Sequence, residues 1–233
     1  MRKIFIVGIF ILIFSGLVYF LLAEKLKASV IPVEQVEQIH QPAQPEQIVE
    51  QPVDESVQPT VPSKEKEIVE PISGAITRVT KKPFGLKISP SDSPVSPEKF
   101  SGYHTGVDFE TTEAEQNIAV PIYTICSGKL LVKKQATGYG GVVVQACEIN
   151  KQAVTVVYGH LNLSSVSVKI NQELKAGEQV GILGQGYSAE TDNERKHLHL
   201  SIHRGESVVL LGYVSQAERL SEWLDPSQLF IGD

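Results

Sequence analysis

Five histidines and one aspartate from residue 104 onward stand in three short clusters of this 233-residue chain. The first is Gly102-Tyr103-His104-Thr105-Gly106-Val107-Asp108. The second is Tyr158-Gly159-His160-Leu161. The third is His197-Leu198-His199-Leu200-Ser201-Ile202-His203. The third cluster is the most informative. Side chains on a strand alternate between faces, so His197 and His199 share one face while Leu198, Leu200 and Ile202 share the other. Two neutral imidazoles on one face suit a zinc ion, at Zn–N distances of about 2.0–2.1 Å. One could ligate while the other stays free to move protons, with Asp108 offering a hard oxygen and His104 another nitrogen. A zinc site with three protein ligands and one open position lowers the pKa of water to about 7, which makes a nucleophile at neutral pH. His203 lies roughly 20 Å further along an extended strand than His197 and reads as a strand-end surface residue.

Short runs rich in Val, Ile, Tyr and Thr position these clusters. The expected strands are Val107–Glu110, Ile122–Cys126, Lys129–Lys134, Val142–Glu148, Ala153–Tyr158, Gln179–Leu183 and His197–His203. Breaks fall at Ser127-Gly128, Gly138-Tyr139-Gly140-Gly141 and Ala176-Gly177, and Asn171 is suited to a left-handed turn. Many short strands at close spacing predict a mainly β fold, an antiparallel sheet or sandwich. Ser215-x-x-Glu218 ahead of Leu220, Trp223 and Leu224 predicts a capping box on a short helix that Asp225-Pro226 ends. Cys126 and Cys147 stand almost symmetrically about the glycine turn, so they could face each other across two strands, either as a disulfide or as two buried free thiols.

The three motifs, in this order and with the opening Pro83-Phe84-Gly85, the Gly138-Tyr139-Gly140 hairpin and the Tyr-x-His-Leu run, resemble the lysostaphin/LytM-type zinc endopeptidases of bacterial cell walls. The resemblance covers roughly residues 80–230. It implies a compact antiparallel, duplicated-hairpin sheet with an active-site groove, and one Zn2+. It assigns His104, Asp108 and His199 as ligands and His160 and His197 as catalytic residues. Tyr103 and Tyr139 are further candidates for lining the groove. The implied reaction is hydrolysis of peptide bonds in peptidoglycan stem peptides or cross-bridges by a zinc-activated water. The alternative is a non-catalytic relative that activates other cell-wall hydrolases. The family often places Ser/Thr-Gly-Pro before H-L-H. Here residues 187–196 are longer and charged, and they read as a loop at one edge of the groove, either a specificity element or an ordinary solvated loop.

The first third of the chain predicts how such a domain is carried. Ile4–Ala23 is apolar and, at about 1.5 Å per residue, matches a hydrocarbon core roughly 30 Å thick. An uncleaved membrane anchor over 1–29 is the expectation, with secretion after signal cleavage as the alternative. Val30–Ser73 is rich in Pro, Glu, Gln and Val without aromatic residues, as expected of a disordered spacer. Fully extended at about 3.1 Å per residue, it would reach on the order of 100 Å. His40 stands in it without partners. The domain proper is expected from Gly74 to Asp233, outside the cytoplasm. The chain carries net charge −6 and no basic stripe, which excludes nucleic acid as a partner. A biotinyl or lipoyl carrier is excluded by the lack of a methionine beside a presented lysine, Met1 being the single methionine.

Overall fold

The computed structural model describes residues 68–231. The expected membrane anchor and most of the spacer lie outside these residues. Among the described residues no helix is long and apolar enough to cross a membrane.

The described residues form twelve short strands joined by tight turns and 3-10 turns. They are β1 (Lys87–Ile88), β2 (Gly102–His104), β3 (Gly106–Glu110), β4 (Pro121–Tyr123), β5 (Gly128–Ala136) and β6 (Gly140–Ile149). β7 (Gln152–Gly159), β8 (Glu173–Leu174), β9 (Gln179–Ile182), β10 (His197–Arg204), β11 (Tyr213–Val214) and β12 (Trp223–Leu224) follow. The main sheet is antiparallel, in the order β12-β10-β7-β6-β5-β8. β10 is its centre. One edge of β10 pairs with β7, and the other is shared by β3 over Gly106–Glu110 and β12 over Trp223–Leu224. A smaller sheet runs β1-β2-β11, and β4 pairs with β9.

The two faces of the main sheet are unequal. Leu198, Leu200 and Ile202 of β10, Val107 and Phe109 of β3 and Val156 and Tyr158 of β7 all enter one large core. Tyr158 gives that core a satisfied polar centre: its hydroxyl donates to Gln145 Oε1 at 3.1 Å and accepts from the Ile125 amide at 2.9 Å. The opposite face carries only a small cluster, Tyr139, Val142, Val144 and Val157 with Leu210 against it. The space not filled there by apolar side chains is where the histidines stand.

Seven expected strands are present with their ends shifted. The two-residue and three-residue strands β1, β2, β8, β11 and β12 have no periodicity to announce them; their partners create them. Asn171 is left-handed at φ 69°, as its type allows. Cys126 and Cys147 form a disulfide, with Cα atoms 6.1 Å apart. Two expectations need correction. The capping box at Ser215 does not form. A 3-10 turn over Ala217–Glu222 starts from Gln216 without a side-chain cap, and Trp223 and Leu224 leave it to pair with β10. Asp225 instead caps the next turn, its Oδ1 accepting from the Ser227 amide at 2.9 Å. The spacer also ends earlier than Ser73. Ile72 is buried, Ile68 packs on the core, the Val69 amide donates to Ile125 O, and Pro71 O accepts from the Tyr123 amide. Apolar residues at 68, 69 and 72 attach this stretch to the domain, where composition alone reads them as linker.

Candidate metal centre

Register brings the three sequence clusters together. His199 of β10 lies opposite Asp108 of β3 on one side and Gly159 of β7 on the other. His104 arrives from β2, one residue before the bend into β3. His160 follows Gly159 directly. Gly159 is needed where it stands, because a Cβ there would lie 2.7 Å from the Tyr139 ring. Gly140 is equally constrained: its φ is 62°, and a Cβ would fall 2.1 Å from the Glu190 carbonyl. These glycines let the Tyr139 turn close over the histidine face.

Three potential ligand atoms form a triangle. His104 Nε2 lies 3.1 Å from His199 Nδ1, His199 Nδ1 lies 3.1 Å from Asp108 Oδ1, and His104 Nε2 lies 3.4 Å from Asp108 Oδ1. Tetrahedral bonds of about 2.0–2.1 Å place ligand atoms roughly 3.3–3.4 Å apart, so the triangle has the size a zinc ion requires. The tautomer fits as well. His104 Nδ1 faces Pro83 O at 3.2 Å and donates to it, which leaves Nε2 as a lone pair. His199 Nε2 is buried with no protein partner. A single proton can satisfy only one pair of the three converging atoms, whereas one cation satisfies all of them. The residues present therefore fit a zinc ion.

The site is buried. His104, Asp108, His160, His197 and His199 are each at most 5% exposed. Burial works to raise the Asp108 carboxyl, but the facing imidazoles of His197 and His104 outweigh it and hold it well below the ordinary range. Burial pushes His160 well below the usual histidine range, helped by His197, and lowers His199 to about 4. Two neutral imidazoles at neutral pH result. The His160 and His197 rings lie 4.3 Å apart. His197 Nδ1 donates to the Arg195 carbonyl at 2.8 Å, so Nε2 is its exchangeable nitrogen, 3.3 Å from Asp108 Oδ2. His160 Nδ1 has no protein partner. His160 also stands at φ 64°, a left-handed conformation unusual for its type, and this turns the chain so that its ring meets His197.

A cavity of about 270 Å³ opens onto Asp108, His160, His197 and His199, with Phe100, Tyr139 and Tyr213 among its walls. Tyr139 is thus placed as the sequence suggests, its ring edge against His199 at 5.3 Å. Tyr103 is not: it is absent from the cavity lining. Neighbouring residues of β2 face opposite ways, so the strand that turns His104 inward turns Tyr103 away, under the Lys87 ammonium. His203 packs edge-on against Trp223 at 5.0 Å.

Several residues of the site gave no signal in the sequence. Lys82 and Glu98 form a buried ion pair of 2.7 Å, and Lys82 also donates to the Tyr213 hydroxyl at 3.0 Å. The Tyr213 ring stacks on His104 at 5.2 Å and on Phe100 at 5.5 Å. Arg195 donates from Nη2 to Asp108 Oδ2 at 2.8 Å and grips Glu110. The solvated-loop reading of residues 187–196 therefore fails where it matters: Thr191, Glu194 and Lys196 are buried, and Lys196 Nζ donates to the carbonyls of Glu115 and Ile118. Charge composition suggests solvent, but Lys196 is held by internal carbonyls and Glu194 faces Lys99 Nζ at 3.6 Å.

Residues 102–210 match the model of Peptidase family M23. A comparison with curated proteins finds no match. Among solved structures, the chain is similar to "Identification and structural characterization of LytU", at 21% identity and TM-score 0.41, covering 64% of this chain and 81% of that one. It is also similar to "crystal structure of cbpa from L. salivarius REN", at 21% identity and TM-score 0.41, covering 64% and 82%. A zinc containing peptidase from vibrio cholerae matches at 23% identity and TM-score 0.38, over 60% of this chain and 37% of that one.

Proposed function

Residues 102–210 belong to Peptidase family M23, of the lysostaphin/LytM type, and from that premise we propose that the protein is a zinc-dependent endopeptidase acting on peptide bonds of peptidoglycan. The observation that carries this reading is the triangle of His104 Nε2, Asp108 Oδ1 and His199 Nδ1, with two further imidazoles in the same cavity. When bound there, zinc supplies a Lewis acid that activates water and polarises a carbonyl.

The chain's own residues do the rest. His104 is oriented by Pro83, so its lone pair points inward. His197 is oriented by the Arg195 carbonyl, so Nε2 is free to take or give a proton. His160 is kept neutral by burial and offers a second ring for protonating a leaving amine or stabilising charge on the carbonyl oxygen. Tyr139 closes one wall and excludes water from the histidine face. Phe100, backed by the Tyr213 ring, contributes apolar surface to the cavity wall.

In this reading the domain begins near Ile68, is carried by the N-terminal apolar segment as a single-pass membrane protein, and works outside the cytoplasm. The Cys126–Cys147 disulfide supports an oxidising compartment. The complete His/Asp set speaks against a regulator that has lost its ligands. The decisive experiment is digestion of purified sacculi with zinc-loaded protein, followed by mass analysis of released fragments. His199→Ala should lower release at least about 100-fold while the protein still melts in a single cooperative transition. Intact sacculi after treatment with the zinc-loaded protein, together with stimulation of a separate cell-wall hydrolase, would favour the regulator instead.

A further inference from the structure

We infer that Arg195 is a positioning residue that holds Asp108 to a single ligating oxygen and fixes the ring of His197. This rests on the metallopeptidase reading for the purpose of the site, and on geometry for the role of Arg195. Its guanidinium lies between two carboxylates of β3. Nη2 donates to Asp108 Oδ2 at 2.8 Å, and Nε donates to both oxygens of Glu110 at 3.0 Å. Nη2 also bonds Glu110 Oε1. Asp108 and Glu110 are two residues apart on one strand, so they point to the same face. Glu110 lies opposite His197 in the register, and Asp108 lies opposite His199.

The consequence concerns the second carboxylate oxygen. A carboxylate takes a cation through one oxygen or through two. Here Oδ1 completes the triangle with His104 and His199, and Oδ2 is occupied by a planar, rigid donor. The guanidinium cannot swing away, because Glu110 grips its other edge. Burial alone would lower its basicity, but Asp108 and Glu110 outweigh burial and keep Arg195 charged. Glu110 also offsets the positive charge that Arg195 brings near a metal. A site that must keep one coordination position open gains from a ligand that cannot become bidentate. The same residue's backbone carbonyl accepts the Nδ1 proton of His197. One residue thus sets the denticity of a ligand and the tautomer of a proton carrier. A lysine, a point charge on a flexible stem, could not bridge both carboxylates.

Co(II) in place of zinc reports coordination number through its visible absorption, independently of hydrolysis. In the full chain, Arg195→Gln should still bind one Co(II) but with clearly weaker visible bands, as Asp108 Oδ2 enters and coordination rises. Glu110→Gln, which leaves every ligand and Arg195 in place, should shift the spectrum the same way by less, and Arg195→Lys should not restore it. Hydrolysis of sacculi by zinc-loaded Arg195→Gln should fall about 10–100-fold, as for other partners of metal ligands. If Arg195→Gln does not fold, Glu110→Gln decides. Visible spectra of the folded variants that superimpose on that of the unsubstituted protein overturn the inference. Unsubstituted protein that binds Co(II) but never cleaves sacculi overturns the peptidase reading instead, and the spectral comparison still tests Arg195.

Discussion

At the scale of single residues, backbone carbonyls orient two of the imidazoles at the centre. Pro83 O accepts a hydrogen bond from His104 Nδ1, and Arg195 O accepts one from His197 Nδ1. His104 Nε2 and His199 Nδ1 then face one point together with Asp108 Oδ1. His160 is different, because its backbone is strained at φ 64° and its Nδ1 has no partner. Strain of this kind, on the order of 1–2 kcal/mol for a side chain with a Cβ, persists where surrounding structure over-determines it. His160→Asn separates geometry from chemistry, since Asn tolerates the left-handed region but does not exchange protons at neutral pH. The substitution should lower the rate of sacculus hydrolysis about 10²–10⁴-fold while the melting temperature moves by no more than about 2 °C. A fall of several degrees, with activity lost in proportion, would make the residue structural.

At the scale of elements, β10 is the organising strand. Its two faces separate core from chemistry, and its two edges recruit β3 and β7, so three ligand-bearing or histidine-bearing segments meet within one register. What keeps β3 in place is partly electrostatic. Arg78, from the turn Ala75–Arg78, makes a two-pronged pair with Glu115 at 2.7 and 2.9 Å and donates to Glu110 O at 3.1 Å. Arg78 holds the Glu115 carboxyl down to about 2, from an ordinary 4.5. Its folded pKa is depressed, so the contribution is fully present above pH 4.5 and is lost as pH falls towards 2. Glu115→Gln should therefore cost about 1 kcal/mol near pH 7, about 2–4 °C in melting temperature. The gap to the unsubstituted protein should close between pH 4.5 and 2. Melting curves of both proteins at pH 7, 5 and 3.5 check this, and a gap independent of pH would assign the cost to lost packing.

At the scale of the molecule, the main core and the metal centre lie on opposite faces of one sheet. Val107, Phe109, Leu198, Leu200 and Tyr158 are fully buried without any help from the site. The disulfide and the Tyr158–Gln145 pair brace the same core. Metal removal should therefore loosen the site without unfolding the domain. With free zinc at about 100 times its dissociation constant, binding adds about 2.7 kcal/mol. Chelation should lower the melting temperature by about 5–10 °C and leave a single cooperative transition with the same circular dichroism at 25 °C. Collapse of the spectrum on chelation would mean that the ion holds the fold rather than the chemistry.

The sequence by itself determined which residue types stand ready for metal chemistry, the β character of the domain, the shared face of His197 and His199, and the facing cysteines. These follow from side-chain alternation and turn types, which are local rules. Only the tertiary structure decided that Tyr139 enters the cavity while Tyr103 turns away. It alone decided that Trp223 and Leu224 pair as a strand, that residues 68–73 join the domain, and that Arg195 turns inward between Asp108 and Glu110. Each of those outcomes depends on a partner far away in the chain, and burial of a charge or the pairing of a two-residue strand is favourable only once that partner has been brought into contact.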